Sequence, residues 1–162
     1  MAFTSVGFEQ VGIVGQLGYQ YDNDKVAFSC VNLSGTAIPP GRGVLIDTAN
    51  SAVGVNAVKL PAGNVTAFKG ICYDDATLPI EEAGFPNDSV LPVLTRGRVW
   101  VLTSEAVAEE DPVYLQHTAN GGSKPVGSFR TDNDGGDAGA VSNCKWAGSY
   151  SSGKALLIIN QP

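Results

Sequence analysis

The segment VLTRGRVWVLTSEAVAEEDPVYLQ, residues 93–116, constrains the fold more than any other part of the chain. Its pattern predicts a strand, a short polar step and a second strand. In the first strand Val99 and Val101 share one face, whereas Trp100 and Leu102 share the other. Because both faces are apolar, this strand is expected to lie between two layers of one molecule or between two molecules.

The second strand, PVYLQ, alternates in the same way and places Tyr114 on the face opposite Val113. We expect a cross-strand contact between Trp100 and Tyr114, since aromatic pairs stabilise neighbouring strands. A buried core explains the apolar faces, and so does a subunit interface, where Trp, Tyr and Arg are enriched. Arg96 and Arg98 flank the first strand and are therefore candidate interface residues.

Glycine and proline, 20 and 9 in number, are scattered between short apolar runs such as KVAFSCVNL and KALLIIN. No window longer than about ten residues keeps a helical period. A chain of 162 residues is long enough for one domain with a real core. The sequence therefore predicts a single all-β domain, a barrel or a sandwich, over residues 26–162.

Residues 1–25 are rich in glycine and weakly periodic, and we predict that they form an extended arm that crosses a neighbouring surface. Its candidate contact residues are Phe3, Phe8 and Tyr19. The alternative is a frayed terminus. The segment lacks the pattern of a signal peptide, and no run approaches the roughly 20 apolar residues of a membrane span. We therefore expect synthesis in a cytosol.

The formal net charge is −6, and the basic residues are dispersed apart from the Arg96 and Arg98 pair. This charge pattern argues against broad contact with nucleic acid or with an anionic membrane, both of which need clustered Lys and Arg. Cys30, Cys72 and Cys144 are odd in number and far apart. Without a signal peptide, they are expected to be free thiols.

The search for catalytic groups centres on His117, which is the only histidine. A multi-histidine metal site is therefore excluded, and no nucleophile signature accompanies this residue. Neither GxGxxG nor GxxxxGK[ST] occurs, so the sequence contains no obvious phosphate-binding loop for a nucleotide. The sequence predicts neither a cofactor nor an enzymatic activity, with a hydrolase kept as an alternative.

The motif TDNDGGDA could offer the oxygens of Asp132, Asp134 and Asp137 to Ca²⁺. An EF-hand loop that begins at Asp132 needs a bidentate Glu at its last position, where this chain has Asn143. We therefore interpret the motif as a turn. The acidic step at residues 105–111 is likewise interpreted as a solvated turn, although paired carboxylates could perform glycoside chemistry.

Several further motifs occur in a fixed order: AIPPGRGVLID, FKGICYDD, TRGRVWV followed by DPVYLQ, and finally GSFRTDNDGGDA, CKWAG and KALLIIN. Taken together they resemble the structural cement (decoration) proteins of tailed-bacteriophage capsids. The resemblance covers most of the chain after the predicted arm. It departs at Glu110, which stands where the family pattern has Gly before Asp-Pro and puts the tight turn in doubt.

This resemblance implies a jelly-roll-like β-barrel or sandwich that binds the outside of an icosahedral shell of major capsid protein and bridges neighbouring capsomers. It also implies self-association as a homotrimer or homodimer, on the outer surface of the virion. The candidate interface residues are Phe3, Phe8, Tyr19, Arg96, Arg98, Trp100 and Tyr114. The alternative function is a monomeric β-sandwich that binds a ligand such as a carbohydrate.

Overall fold

The computed structural model of the chain describes residues 12–18, 25–51, 56–78 and 81–161. This part of the chain contains ten strands: β1 (Val26–Asn32), β2 (Gly43–Ile46), β3 (Ala57–Lys59), β4 (Phe68–Cys72), β5 (Val90–Thr103), β6 (Tyr114–Gln116), β7 (Phe129–Arg130), β8 (Ala138–Ala140), β9 (Cys144–Trp146) and β10 (Gly153–Asn160). Its only helical element is a short 3₁₀ turn, Asp134–Gly136. Within these ranges no helix has the length and apolar character needed to cross a membrane.

Five strands close a barrel in the order β1–β3–β2–β4–β5, and β5 pairs with β1 to complete the circle. The β1–β5 pair is antiparallel and extends from Val26 opposite Arg96 to Val31 opposite Val90. β1 and β3 run parallel, whereas the other neighbours in the barrel run antiparallel. Closure removes the free edges that such short strands would otherwise expose. The prediction of an all-β barrel or sandwich is confirmed.

Alternating apolar residues fill the barrel interior, as expected for strands with one inward face. The buried side chains are Cys30, Ile38, Val44, Val58, Cys72, Phe85, Leu91 and Val93. At one end of the barrel the main chains of Ile38 and Phe85 form a bridge. The side-chain amide of Asn32 donates to the carbonyls of Thr36 (2.8 Å) and Phe85 (3.0 Å). This buried polar group therefore has partners and fixes the loops that close this end.

A second and larger core lies between the barrel wall and the C-terminal strands. Its buried side chains are Leu45, Ile71, Tyr73, Leu94, Val99, Val101, Val107, Val113, Leu115, Phe129, Val141, Trp146, Ala155, Leu157 and Ile159. The fourteen-residue β5 contributes to both cores, with Leu91 and Val93 inside the barrel and Val99 and Val101 in the second core. Because one strand belongs to both cores, the two parts form one packed unit.

Residues 12–18, which fall within the predicted arm, run along the second half of β5. The amide of Gly15 donates to the carbonyl of Trp100 (2.7 Å), and the amide of Trp100 donates to the carbonyl of Gln16 (2.8 Å). The amide of Gly18 donates to the carbonyl of Arg98 (2.8 Å). This short segment therefore occupies an edge of β5. The division into an arm up to residue 25 and a domain after it remains a prediction.

Two other expectations can be compared with the structure. The three cysteines are free, as predicted, with Cys30 and Cys72 buried and Cys144 half-buried. The sequence pattern indicates no strand in residues 117–140, yet β7 and β8 lie in this stretch. These strands have two and three residues, and they form because β6 pairs with both of them. Such short strands carry no periodicity that a sequence could reveal.

Candidate interaction surface

The outward faces of β5, β10 and β9 form one continuous surface, here called the β5–β10–β9 face. In the antiparallel register Arg96 lies opposite Asn160, Arg98 opposite Ile158, and Trp100 opposite Leu156. On the other side of β10, Lys145 lies opposite Ile158. Their neighbours along the strands point into the second core, as the alternation of strand side chains requires. The residues of this face are therefore Arg96, Arg98, Trp100, Leu102, Lys145, Lys154, Leu156, Ile158 and Asn160.

The β5–β10–β9 face is basic, although the whole chain carries a net charge of −6. Arg96 and Lys145 are exposed, Arg98 is half-buried, and the sequences of these three strands contain no Asp or Glu. The Nε of Arg96 donates to the Oδ1 of Asn160 (3.0 Å), and the Nζ of Lys154 donates to the carbonyl of Gly12 (2.6 Å). Within the described ranges none of these cations makes an ion pair. The face can therefore offer cations to carboxylates of a partner.

Trp100 lies on this face but is covered by the chain itself, with 6% of its surface exposed. Its ring makes an edge-to-face contact with Tyr150, with centroids 5.5 Å apart. Gly12 also packs against this ring, since a Cβ at Gly12 would overlap the indole. Burial raises the pKa of Tyr150, and the nearby Arg98 opposes this shift. Trp100 therefore packs within the isolated molecule, between its own strands and residues 12–18.

The predicted contact of Trp100 with Tyr114 is wrong, because β7 lies between their strands in the sheet. Tyr114 is half-buried and stands opposite Arg130 on β7 and Ala140 on β8. Of the seven candidate interface residues, the structure brings together Arg96, Arg98 and Trp100 and places Tyr114 on another surface. The remaining three, Phe3, Phe8 and Tyr19, lie outside the described residues.

A network of charged side chains surrounds Arg130, whose side chain is only 4% exposed. Its NH2 group lies 2.6 Å from the Oδ1 of Asp132 and 3.5 Å from the Oε2 of Glu105. The Nζ of Lys124 lies 2.6 Å from the Oδ1 of Asp134, and the Oδ2 of Asp134 accepts a hydrogen bond from the Nε2 of Gln116 (3.0 Å). The network joins the loop after β6, the end of β7 and the 131–137 turn.

These contacts determine whether the acidic motif TDNDGGDA is available to bind a metal ion. The hydrogen bond from Lys124 lowers the pKa of Asp134 to about 2, and that from Arg130 lowers the pKa of Asp132. Both carboxylates are therefore ionised and occupied by cations of the same chain. The described residues contain no group of three or more His, Cys, Asp or Glu side chains placed to hold a metal ion. The motif forms a turn, as interpreted from the sequence, and Asp134 adopts a left-handed conformation there (φ 49°).

The other acidic and histidine candidates are held by local contacts. Glu105 accepts hydrogen bonds from the amide (2.6 Å) and the hydroxyl (2.9 Å) of Thr131, so it is not the solvated carboxylate that was expected. The amide of Ala108 donates to the Oδ2 of Asp111 (2.8 Å), which closes the turn without a left-handed residue at Glu110. Glycine is therefore not needed at this position. The Nδ1 of His117 lies 3.0 Å from the hydroxyl of Thr118.

Comparison with known proteins gives a consistent result. A chain from the capsid of Myoviridae phage XM1 shares the fold with a TM-score of 0.66, over 99% of this chain and 98% of that chain, at 20% sequence identity. No curated protein sequence matches the chain. The family model described as structural cement protein (E217 gp24/Pam3 gp6) matches residues 4–161. Because this match spans nearly the whole chain, the protein belongs to the family of phage structural cement proteins.

Proposed function

We propose that the protein is a cement, or decoration, protein that associates with the shell proteins of a phage capsid and stabilises the shell. The observation that carries this proposal is the family match over residues 4–161. The capsid chain of phage XM1, which has the same fold along its full length, supports it. The role is structural, and the protein acts in the virion.

We further propose that the partner is the major capsid protein and that binding occurs on the outer surface of the shell, where each copy bridges neighbouring capsomers. Self-association as a homotrimer or homodimer would give each assembly several points of attachment. Linked weak contacts give a much higher overall affinity than any single contact. The basic β5–β10–β9 face on an acidic protein supports a contact surface of this kind. Synthesis in the cytoplasm of the host precedes assembly.

The contact residues proposed for this role are those of the sequence analysis. Phe3, Phe8 and Tyr19 would contact a neighbouring subunit from residues 1–25. Arg96 and Arg98 would pair with carboxylates of a partner, since charge-assisted bonds from Arg are strong and directional. Tyr114 lies on a separate surface and would serve a second contact. Trp100 would stabilise the β5–β10–β9 face without contacting a partner, since residues of the same chain cover its ring.

The proposal is tested by adding purified protein to shells assembled from the major capsid protein alone. We expect electron cryomicroscopy to show additional density at regular positions on the outer surface, and the shells to melt at a higher temperature. The control is a shell sample without added protein. A protein that stays monomeric at high concentration and leaves the shells undecorated would contradict the proposal. Binding of a sugar by such a monomer would favour the alternative function.

A further inference from the structure

Exposed apolar side chains lie at the end of the barrel where β1 begins and β2 ends. Because β3 runs parallel to β1 and antiparallel to β2, these two strand ends are at the same end of the barrel. Phe28 stands opposite Val93 and Ile46 stands opposite Val58, and both partners point into the barrel. Phe28 and Ile46 therefore belong to the inward faces of their strands, yet they are 43% and 37% exposed.

Val26 extends this apolar surface toward the β5–β10–β9 face. It is exposed and stands opposite Arg96, which is exposed on that face. Of the five large apolar side chains that the described residues leave exposed, three are Val26, Phe28 and Ile46. Single exposed apolar side chains are common, whereas a group of them with polar residues at its border marks a contact site.

Lys69 reaches this end of the barrel from β4. The register between β2 and β4 shifts at this point, and Lys69, between Phe68 and Gly70, stands opposite no residue of β2. A bulge of this kind redirects a side chain. The Nζ of Lys69 lies 4.7 Å from the centroid of the Phe28 ring, and its charge opposes the rise that burial causes in the pKa of Cys30. The ammonium group is therefore held close to the barrel interior. These apolar and cationic residues are here called the barrel mouth: Val26, Phe28, Ile46 and Lys69.

The barrel mouth carries a positive charge that the described part of the chain does not neutralise. Lys69 is half-buried and makes no ion pair with any residue of that part. The carboxylate that follows Ile46, that of Asp47, is buried and is held by the Nδ2 of Asn50 (2.6 Å) and the Nζ of Lys59 (3.3 Å). A carboxylate from a partner would therefore meet Lys69 without competition from Asp47.

We propose that the barrel mouth binds a surface segment of a capsid shell protein in which an apolar side chain stands beside a carboxylate. The apolar side chain packs on Phe28 and Ile46, and the carboxylate pairs with Lys69. Arg96, which lies next to Val26, offers a second cation to the same segment. Aromatic anchors and cations of this kind are typical of the strongest contact points in protein interfaces. This inference rests on the proposed function, and it assigns to the barrel a contact that the β5–β10–β9 face does not include.

Two alanine variants test the apolar part of the proposal on shells assembled from major capsid protein. Phe28→Ala should weaken the binding of the full-length protein to these shells about tenfold or more, the effect of losing an aromatic anchor. Val90→Ala is the matched control, because Val90 is 46% exposed but lies where β5 begins, opposite Val31 and at the other end of the barrel. It should bind as the wild type does. Denaturant unfolding shows whether each variant is folded.

A second pair of variants tests the charge. Lys69→Gln and Ser123→Glu each lower the net charge by one, and Ser123 is exposed in the loop after β6. Lys69→Gln should weaken shell binding about two- to fivefold, the range of a surface ion pair. Its binding should also depend less on salt concentration than that of the wild type, because one ion pair is lost. Ser123→Glu should bind as the wild type does.

Hydroxyl-radical oxidation measures the same contact in the wild type, without any substitution. On shells, oxidation of Phe28 should fall about twofold or more, since an interface anchor loses its exposure to water. Val90 is the internal control, and its oxidation should not change. Mass spectrometry of the peptides that contain each residue provides the measurement.

The results separate the barrel mouth from the cement function. If Phe28→Ala is folded and binds shells as tightly as the wild type, the barrel mouth is not a contact, and the cement function stands. If Phe28→Ala does not fold, unchanged oxidation of Phe28 on shells overturns the proposal, and reduced oxidation supports it. Absence of shell binding by the wild type would overturn both the contact and the proposed function.

Two further results identify the partner. Reduced oxidation of Phe28 in concentrated protein without shells would show that a second copy covers the barrel mouth, and the shell segment would then be wrong. Equal affinities of Lys69→Gln and the wild type would overturn the pairing of Lys69 with a carboxylate, and with it the acidic character of the bound segment.

Discussion

Trp100 is the residue whose role the sequence left open between core and interface. With 6% of its surface exposed and with Tyr150 and Gly12 against its ring, it is packed inside the isolated molecule. The sequence could predict that both faces of β5 are covered, because alternation places apolar residues on each. It could not predict that residues 12–18 provide the cover. That contact depends on main-chain hydrogen bonds, which carry no side-chain pattern.

We predict that Trp100→Ala destabilises the folded protein by about 3–5 kcal/mol, the usual cost of removing a buried aromatic ring. Denaturant unfolding measures this change. Tyr114→Ala is the control, because Tyr114 is half-buried and its loss should cost less. If Trp100→Ala kept the free energy of unfolding and only weakened shell binding, the main contact of Trp100 would lie on a partner.

The carboxylate of Asp134 should make stability depend on pH in the acid range. Its pKa is lowered from 3.8 to about 2 in the folded state, chiefly by the hydrogen bond from Lys124. Because the folded-state pKa is depressed, this stabilisation is complete above the unfolded pKa and is lost as the pH falls through the folded pKa. Asp134→Asn should therefore be less stable than the wild type at pH 7, and the difference should shrink as the pH approaches 2.

Asparagine suits this test because it tolerates the left-handed conformation of Asp134 (φ 49°). Asp137→Asn is the matched control in the same turn, since within the described ranges the Asp137 side chain makes no ion pair. Unfolding free energies of the three proteins between pH 2 and 7 provide the measurement. A difference between Asp134→Asn and the wild type that stays constant over this range would contradict the prediction.

At the scale of elements, prediction from sequence succeeded where an apolar run is long. β5 and β10 have fourteen and eight residues and contain the runs VWVL and ALLII, which are apolar on both faces of the strand. β7 and β8 escaped detection because their pairing depends on β6, which is distant in the chain. The sequence did not reveal the ion network around Arg130 either, because only the fold brings Glu105 and Lys124 into this network. The basic β5–β10–β9 face could not be predicted either, because it depends on the pairing register of β9 and β10, which the sequence does not specify.

Residues 12–18 behave as a strand-like element whose docking depends on glycine. A side chain at Gly12 would overlap the ring of Trp100, so Gly12→Val should displace this segment from β5. We expect a loss of about 1–3 kcal/mol, as for other overpacked sites, and a red shift of tryptophan fluorescence as Trp100 meets water. Gly122→Val is the control, because a Cβ there meets no atom within 4 Å. Unchanged fluorescence in Gly12→Val would show that the segment does not cover Trp100.

At the scale of the whole molecule, the shared strand β5 should make the two cores unfold together. Cys30 and Cys72 lie inside the barrel, and Cys144 packs against the second core, so each core carries a native thiol probe. Burial raises the pKa of all three thiols, that of Cys144 to about 12, so opening of the structure should speed the reaction of each. In a two-state protein, such openings share one free energy.

We therefore predict that a thiol reagent modifies the barrel cysteines and Cys144 with the same dependence on denaturant concentration. Mass spectrometry of peptides that contain each cysteine provides the measurement, and the fully unfolded protein gives the reference rates. Cys30→Ser and Cys144→Ser identify each signal by its loss. If Cys144 reacted at a lower denaturant concentration than Cys30, the C-terminal layer would open alone. β5 would then hold the barrel without coupling it to the second core.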